Sequence, residues 1–162
     1  MLSRKFHRAA GDRLVKLPEK ITRYTPDFIL EQVIASALNH LLGKELSAGE
    51  LDFLERKLAT VNIRDLNFSF TVTAYDKRIK VMIPAQISEV TLRTDQQSLL
   101  EMLHNEVDPD TLFFQRRLLI TGNTELGLYL KNFIDSLELM GRIPAPVMKL
   151  ISRIHKQSQK SL

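Results

Sequence analysis

The sequence predicts one α+β domain, in which five mostly antiparallel strands form a sheet and helices cover one side of it. Residues 28–42 and 124–139 carry apolar side chains three and four positions apart, which is typical of amphipathic helices. Residues 61–93 instead alternate apolar and polar side chains, which is typical of half-buried strands. Because several strands follow one another before the next helix, the order favours an antiparallel-rich sheet over a parallel one.

Helices are predicted before the first strand. Residues 1–17 have a weak helical pattern, and the next helix is predicted over 26–42, with Thr25 as its N-cap. Gly43 is expected to end that helix. The S-x-x-E motif of residues 47–50 is a capping box, so it predicts the start of a shorter helix.

Four strands are predicted in the middle of the chain. Residues 61–63 and 67–74 alternate so that their apolar side chains point into the domain and their hydroxyls point to solvent. Residues 76–77 are a plausible two-residue hairpin turn, although they lack the usual glycine. Residues 79–83 form the return strand, and 89–93 form the fourth strand.

The last third of the domain contains one more strand between two helices. A helix is predicted over 95–105, and the Asp-Pro-Asp sequence of 108–110 predicts a turn that caps the residues after it. The fifth strand is predicted over 116–121. The Gly-Asn pair at 122–123 breaks it, and the apolar helix 124–139 comes next.

The composition is that of an ordinary globular domain. The chain has 162 residues, of which 44% are hydrophobic, and no apolar run approaches the ~20 residues of a membrane span. Its first 16 residues lack the continuous apolar segment of a signal peptide. Without cysteine it has no disulfide, no iron–sulfur ligation and no thiol nucleophile. These features favour a cytoplasmic protein.

The charge is unevenly distributed. Residues 1–23 and 142–162 each carry a formal charge of +5, whereas 24–141 carry −6. The basic ends are either solvated tails or attachments to an anionic membrane surface. Residues 147–156 predict a basic amphipathic helix, which can lie on a membrane, dock on its own domain or cover the mouth of a cavity. Its candidate membrane-contact residues are Lys149, Arg153 and Lys156.

The sequence offers no catalytic or metal-binding constellation, so we expect no catalytic residue, no metal and no cofactor. None of the four histidines has a ligand-like partner three or four positions away. Asp108 and Asp110 could be a carboxylate pair, but a turn and cap explains them better. Arg116 and Arg117 could hold a headgroup, although one solvated and one ion-paired arginine is the commoner outcome.

Three segments carry a resemblance to a known family. They are DPDTLFFQRRLLITGNTELGLYLKN at 108–132, GELDFLERK at 49–57 and VNIRDLNFSF at 61–70. They resemble the accessory factors of ubiquinone biosynthesis, which belong to the lipid-binding sterol carrier proteins, and the resemblance covers roughly 18–140. It implies a sterol-carrier-like fold whose sheet and helices enclose an apolar tunnel. Together with the charge distribution, it divides the chain into a basic segment at 1–24, a lipid-binding domain at 25–141 and a basic amphipathic helix at 142–162, and the two ends depart from the family pattern.

The same resemblance implies a function without catalysis. A non-enzymatic, bacterial accessory factor would bind a polyprenylated quinone precursor or a phospholipid near the inner membrane, in oxygen-independent ubiquinone biosynthesis. Its implied partners are UbiU and UbiV type proteins, which would carry the iron–sulfur chemistry, and no nucleic acid is expected. The candidate lipid-binding residues are Phe28, Val33, Phe68, Phe70, Val72, Val81, Leu103, Phe113, Phe114, Leu126, Leu130, Phe133 and Ile134.

Other interpretations stay open at the level of sequence. From the apolar pattern alone, an ordinary close-packed core is favoured over a cavity. The pI of about 9.4 suggests a nucleic-acid-binding module, but the basic residues lie at the ends and lack interleaved aromatics. A general intracellular lipid carrier and a small hydrolase with an unrecognised carboxylate pair are further alternatives. Lipid extraction, gel shifts with DNA and the polarity of the pocket distinguish these hypotheses.

Overall fold

A five-stranded sheet forms the centre of the computed structural model, which describes residues 26–139 and Arg142. The strand order is β3-β2-β1-β4-β5, and every neighbouring pair is antiparallel except β1 and β4. The predicted mostly antiparallel sheet of five strands is therefore confirmed. The strands are β1 (Ala59–Ile63), β2 (Phe68–Tyr75), β3 (Arg78–Met82), β4 (Val90–Thr94) and β5 (Leu119–Gly122).

Helices surround the sheet, and three of them begin at a side-chain cap. Asp95, Asp108 and Asn123 each accept a hydrogen bond from a backbone N–H three residues ahead, at 2.8, 2.9 and 2.9 Å. Each cap satisfies an N–H that the first helical turn leaves without a partner. The helices are α1 (Asp27–Leu41), α2 (Gly43–Ala48), α3 (Gln96–Leu103), α4 (Pro109–Phe114) and α5 (Thr124–Ser136). Short 3₁₀ turns cover Asp52–Leu54 and Arg64–Leu66.

Two predicted helix boundaries are wrong. Helix α1 does end before Gly43, at Leu41, and α2 then starts at Gly43. The capping-box prediction fails because Ser47 lies in the last turn of α2, where its hydroxyl donates a hydrogen bond to the carbonyl of Gly43 at 2.8 Å. Gly49 ends α2 in the left-handed conformation, with φ of 80°. Helix α5 is also shorter than predicted, since it ends at Ser136.

The fifth strand starts three residues later than the alternation predicts. Arg116 has a φ of 59°, which is not a strand conformation. The N–H groups of Arg117 and Leu118 donate to the carbonyl of Leu112 at 2.9 and 3.1 Å, so they close the end of α4 instead of pairing with β4. Local hydrogen bonding here overrides the period-two pattern.

The β2–β3 hairpin has the predicted two-residue turn. Asp76 and Lys77 have φ angles of 50° and 56°. Positive φ at both positions matches the right-handed twist of the strands that they join. Aspartate and lysine therefore adopt a conformation that glycine and asparagine usually supply.

Two apolar clusters hold α1, α4 and α5 against one face of the sheet. The larger cluster includes Phe70, Val90, Leu126 and Phe133. The smaller one centres on Leu92, Leu112 and Leu118. Half-buried side chains of α5, Leu130 and Ile134, pack against both. The domain thus has one helix-covered face, as predicted.

The opposite face of the sheet is not simply solvated, contrary to the prediction for its hydroxyls. Thr71 is fully buried, and its hydroxyl lies 2.9 Å from that of Thr60. The N–H of Gln86 donates to Thr71 Oγ1 at 2.8 Å, because the segment between β3 and β4 folds over this part of the sheet. Buried hydroxyls are tolerated here because each has a hydrogen-bonding partner.

Helix α1 protects the free edge of β3 with two side chains. The Asn39 amide donates to the carbonyl of Ile79 and accepts from its N–H, both at 2.8 Å. Glu31 accepts a hydrogen bond from the N–H of Ile83 at 2.7 Å. The side chains take the place of a neighbouring strand, which an edge would otherwise recruit from another molecule.

Replacing Asn39 with alanine should therefore lower the free energy of unfolding by about 1–3 kcal/mol, because it leaves a backbone donor and acceptor without partners. Urea unfolding measures this change. The control is Gln32→Ala on the exposed side of the same helix, for which we expect a change within about 0.5 kcal/mol. Equal effects of the two substitutions would show that the amide does not stabilise the edge.

Candidate functional site

The middle of the sheet is incompletely covered by the helices. Val61 and Ile63 of the central strand β1 are only half-buried, as are Phe68 and Val72 of the adjacent β2. In contrast, Val90 on the neighbouring β4 is 1% exposed. Side chains of the central strand of a helix-covered sheet are normally the least exposed to solvent, because helices and neighbouring strands shield them on several sides. These apolar side chains of β1 and β2 are therefore only partly covered.

An apolar cleft lies at the same end of the sheet. Strand β4 ends at Thr94, beside Ile63, and α3 starts two residues later and contacts the 3₁₀ turn Arg64–Leu66 that follows β1. The cleft separates α3 from the end of α5 and has a volume of about 410 Å³, which is within the usual size of ligand pockets. Its walls are Leu99, Met102, Leu103, Asn105, Val107, Pro109, Ile134, Leu137, Glu138 and Leu139.

Ile134 connects the cleft to the interior. It lines the cleft and packs against both apolar clusters, together with Val61 of the central strand. Ile134 is therefore shared by the cleft wall and the apolar core. Asn105 and Glu138 supply polar groups in the cleft wall. This arrangement can bind an oily molecule with a polar end, but it has no reacting group in the wall besides one carboxylate.

The structure places the predicted lipid-binding residues at three depths. Leu103 and Ile134 line the cleft. Phe68, Val72 and Leu130 are half-buried around the larger cluster. The other interior members are buried in that cluster, and they are Phe70, Val81, Leu126 and Phe133.

Four of the predicted residues do not lie inside the domain. Phe28 and Val33 are 65% and 60% exposed, because α1 faces the core with Leu30 instead. Phe114 is 80% exposed, and Phe113 contacts it with a ring-centroid distance of 6.2 Å. The prediction that these four side chains face the interior of the domain is therefore wrong.

Sequence reasoning named two of the ten wall residues, Leu103 and Ile134, and missed the other eight. Leu99 and Met102 stand with Leu103 on one side of α3, at the spacing of a helix face. Val107 and Leu137 come from segments outside the helices. The apolar side of α3 was the signal for the cleft, because an apolar helix face must be covered and no covering element was predicted for it.

The two aspartates before α4 have separate structural roles. Asp108 caps α4, and the hydrogen bonds from the hydroxyl and N–H of Thr111 hold the pKa of its carboxyl below its usual value. Asp110 forms a salt bridge with Lys131 of α5, and that hydrogen bond raises the pKa of the lysine. The predicted turn and cap is confirmed, and the two carboxylates have different partners.

Arg116 and Arg117 are one exposed and one ion-paired arginine, as the commoner expectation had it. Arg117 donates to the buried carboxylate of Glu101 at 2.6 Å, whereas Arg116 is exposed. Gln97 donates a second hydrogen bond to the same carboxylate at 2.9 Å, so the buried charge is well satisfied. This ion pair lies beside the cleft and does not enter its wall.

Residues 26–139 and Arg142 contain no group of three or more histidine, aspartate or glutamate side chains that could hold a metal ion. Among the same residues, no helix is both long and apolar enough to cross a membrane. The predicted membrane-contact residues Lys149, Arg153 and Lys156 lie outside the described residues, as do both predicted terminal segments apart from Arg142.

Comparisons with known proteins agree with this geometry. The SCP-2 sterol transfer family matches residues 38–135. The chain is 38% identical to the ubiquinone biosynthesis accessory factor UbiT of Escherichia coli K12 over 129 residues, which cover 80% of this chain and 72% of that protein. UbiT of Escherichia coli O157:H7 gives the same values.

The fold is also found in a solved structure. The UbiJ-SCP2 ubiquinone synthesis protein superimposes with a TM-score of 0.53, covering 66% of this chain and 94% of that one, at 16% identity. At this identity the likeness supports the fold alone. The family match and the UbiT relatives together give the assignment: the chain belongs to the SCP-2 sterol transfer family, in the group of the ubiquinone biosynthesis accessory factor UbiT.

Proposed function

We propose that this protein binds one lipid molecule in an apolar chamber between sheet and helices, as a non-enzymatic accessory factor of ubiquinone biosynthesis. The observation that supports this most is the half-buried centre of the sheet beside the cleft. Burying those side chains under a lipid tail would remove apolar surface of both from water, at about 25 cal/mol per Å². This chamber would correspond to the tunnel that the family resemblance implies, with its entrance between α3 and α5.

The ligand that fits this proposal is long, apolar and polar at one end. A polyprenylated quinone precursor and a phospholipid both have this form. The tail would lie over β1 and β2, and the polar end would stay near Asn105 and Glu138 at the cleft. The protein would thereby keep a water-insoluble intermediate accessible to enzymes in aqueous solution.

The proposed role extends to the oxygen-independent branch of the pathway. In that role, UbiU and UbiV type partners would perform the hydroxylation chemistry and this chain would present the lipid. The family of the relatives supports an accessory role over a catalytic one. The complete absence of cysteine fits a division of labour in which iron–sulfur clusters belong to the partners.

We further propose that residues 25–141 are the lipid-binding domain and that the basic segments 1–24 and 142–162 attach it to the inner membrane from the cytoplasmic side. Each segment is rich in lysine and arginine and poor in acids. Lys149, Arg153 and Lys156 would contact anionic headgroups, each contributing about 1 kcal/mol.

A bulky side chain introduced into the cleft wall tests the proposed chamber directly. Replacing Leu103 with tryptophan should fill part of the 410 Å³ and lower the fraction of lipid-bound protein seen by native mass spectrometry. Ile134→Trp should have the same effect from the opposite wall. Circular dichroism verifies that both variants are folded.

The matched control is Leu128→Trp, which adds the same side chain to the exposed side of α5. We expect its lipid occupancy to equal that of the unaltered protein. If all three variants kept their lipid, the chamber would have to lie elsewhere in the molecule. If none of the proteins carried lipid, the proposed function itself would fail.

A further inference from the structure

Helix α1 carries an apolar stripe that the described part of the domain does not cover. Ile29 and Val33 are 41% and 60% exposed, and Ala37, one turn further on, is exposed as well. Leu41 continues the row at the same four-residue spacing, so these four residues share one side of the helix, and we call them the α1 stripe. A row of apolar side chains along one helix side favours a covering element.

The sheet is not that covering element. Glu31 and Asn39 of α1 face the edge of β3, where they bond to backbone groups of β3 and of the residue after it. Val33 and Ala37 each lie two positions from one of these residues, which is a rotation of about 200° around a helix. The α1 stripe is therefore on the side of α1 that points away from the β3 edge.

The chain returns to the end of the α1 stripe after α5. Arg142 donates to the carbonyl of Leu41 at 3.1 Å and forms an ion pair with the buried Glu45 at 2.6 Å. Residues 143–162 follow from that point. The first four of them include two prolines and span at most about 14 Å, so the next residues begin close to the end of α1.

The sequence after those prolines matches the α1 stripe in pattern, length and charge. Its apolar residues follow the i, i+3, i+4, i+7 spacing of one helix side, and they are Val147, Leu150, Ile151 and Ile154. A helix over 147–156 would be about 15 Å long, and the α1 stripe is about 18 Å long. Residues 143–162 contain four lysines and arginines and no acid, whereas α1 contains Asp27 and Glu31 and no lysine or arginine.

We propose that residues 147–156 form a helix that packs its apolar side on the α1 stripe, antiparallel to α1. The direction follows from the chain path, because the segment begins beside Leu41, where α1 ends. Its basic far end then lies near the acidic first turn of α1, which is a favourable pairing. The cations of the segment lie on its other side and stay exposed, so this packing leaves them free for the headgroup contacts proposed above.

Two other occupants fit the α1 stripe less well. A second copy of the chain would have to bind from solution, whereas a segment on a short linker is present at an effective concentration in the millimolar range. Residues 1–17 are also linked to α1, but their helical pattern is weak and Gly11 interrupts it. The segment after Arg142 has both the pattern and the position.

The reactivity of a single thiol tests the packing. The chain contains no cysteine, so Val33→Cys places one thiol on the α1 stripe, and Gln32→Cys places one on an exposed position about 100° away. Each rate with a water-soluble maleimide is compared with the rate of the same thiol in urea. We expect the Val33→Cys thiol to react at least about tenfold more slowly than the Gln32→Cys thiol, because the packed helix has to open first.

A substitution in the segment itself identifies what protects the thiol. Adding Ile151→Asp should remove the protection of Val33→Cys, since burying one isoleucine shifts a packing equilibrium by roughly ten- to a hundredfold. The control Ser152→Asp adds the same charge on the other side of the segment and should leave the protection unchanged.

Three results would overturn the proposal. The first is equal reactivity of the two thiols in the otherwise unaltered chain. The second is protection that rises with protein concentration and survives Ile151→Asp, which would assign the α1 stripe to a second copy. The third is protection that Leu14→Asp removes and Ile151→Asp does not, which would assign it to residues 1–24.

Tryptic cleavage gives a second readout without a thiol. Packing should slow cleavage after Lys149 and Arg153, which mass spectrometry of the released peptides detects. Val33→Asp should speed it about tenfold or more, and the control Gln32→Asp should not. Equal cleavage rates in the three proteins would contradict the packing. Neither measurement involves a lipid, so failure of the proposed lipid-binding function would leave both results valid.

Discussion

Replacing Gly122 with alanine should destabilise the protein by about 3 kcal/mol or more. Gly122 ends β5 opposite Val90, with a φ of +107°. A Cβ at this position would lie 2.3 Å from the carbonyl oxygen of Glu89, whereas carbon–oxygen contacts in sheets are about 3.3–3.6 Å. The oxygen belongs to the backbone, so only a shift of β5 away from β4 would relieve the contact. Thermal or urea unfolding measures the loss.

Gly43→Ala is the control for that substitution. Gly43 opens α2, and a Cβ there meets no atom within 4 Å. Alanine in a helix is favoured over glycine by up to about 1 kcal/mol, so the control should be neutral or slightly stabilising. If Gly122→Ala behaved like Gly43→Ala, the close approach of β5 to the segment before β4 would be wrong.

Replacing Arg142 with alanine should cost about 3 kcal/mol. Arg142 Nη1 lies 2.6 and 2.7 Å from the two carboxylate oxygens of Glu45 and donates to the carbonyl of Leu41 at 3.1 Å. Glu45 is only 6% exposed. Removing the guanidinium leaves this carboxylate buried without a counter-charge, which is costlier than losing an exposed ion pair. The comparison is Arg64→Ala, whose exposed pair with Asp95 spans 3.4 Å and should contribute no more than about 1 kcal/mol.

The pH dependence of the same variant gives a sharper test. Burial raises the pKa of Glu45, but the hydrogen bond and charge of Arg142 outweigh it and hold the pKa below its usual value. The native pair therefore adds stability above the unfolded pKa of about 4.3, and this contribution disappears as pH falls through the lowered pKa. Arg142→Ala removes the largest interaction that opposes burial, so the pKa of Glu45 should be higher in the variant than in the unaltered protein. The stability difference between the proteins should then shrink on acidification, and a difference independent of pH would contradict the ion pair.

Local chemistry made much of the fold predictable from sequence. Asp95 and Asp108 cap their helices because a short carboxylate reaches the N–H groups of the next turn. The alternation of β2 fixed which side chains face the helices, and the turn at Asp76 and Lys77 followed from the strands around it. Such features depend on residues that are close in the chain.

Features that depend on distant residues were not predictable. The apolar side chains of α1 surround most of the helix, so their spacing could not show that Leu30 would be buried and Phe28 exposed. Thr71 is buried because the chain near Gln86 happens to fold over it. Glu45 is neutralised by Arg142, almost a hundred residues away, which no local pattern indicates. For the same reason the sequence named Leu103 and Ile134 among the lipid-binding residues without showing that they face each other across one cleft.

The central claim is that the space over β1 and β2 holds a lipid. Native mass spectrometry of the gently purified protein, followed by extraction and identification of whatever is released, tests it most directly. The account predicts one isoprenoid quinone precursor or phospholipid per chain, displaced by the Leu103→Trp substitution. A protein that carries only its own polypeptide mass, and takes up neither kind of lipid when it is offered, would contradict it.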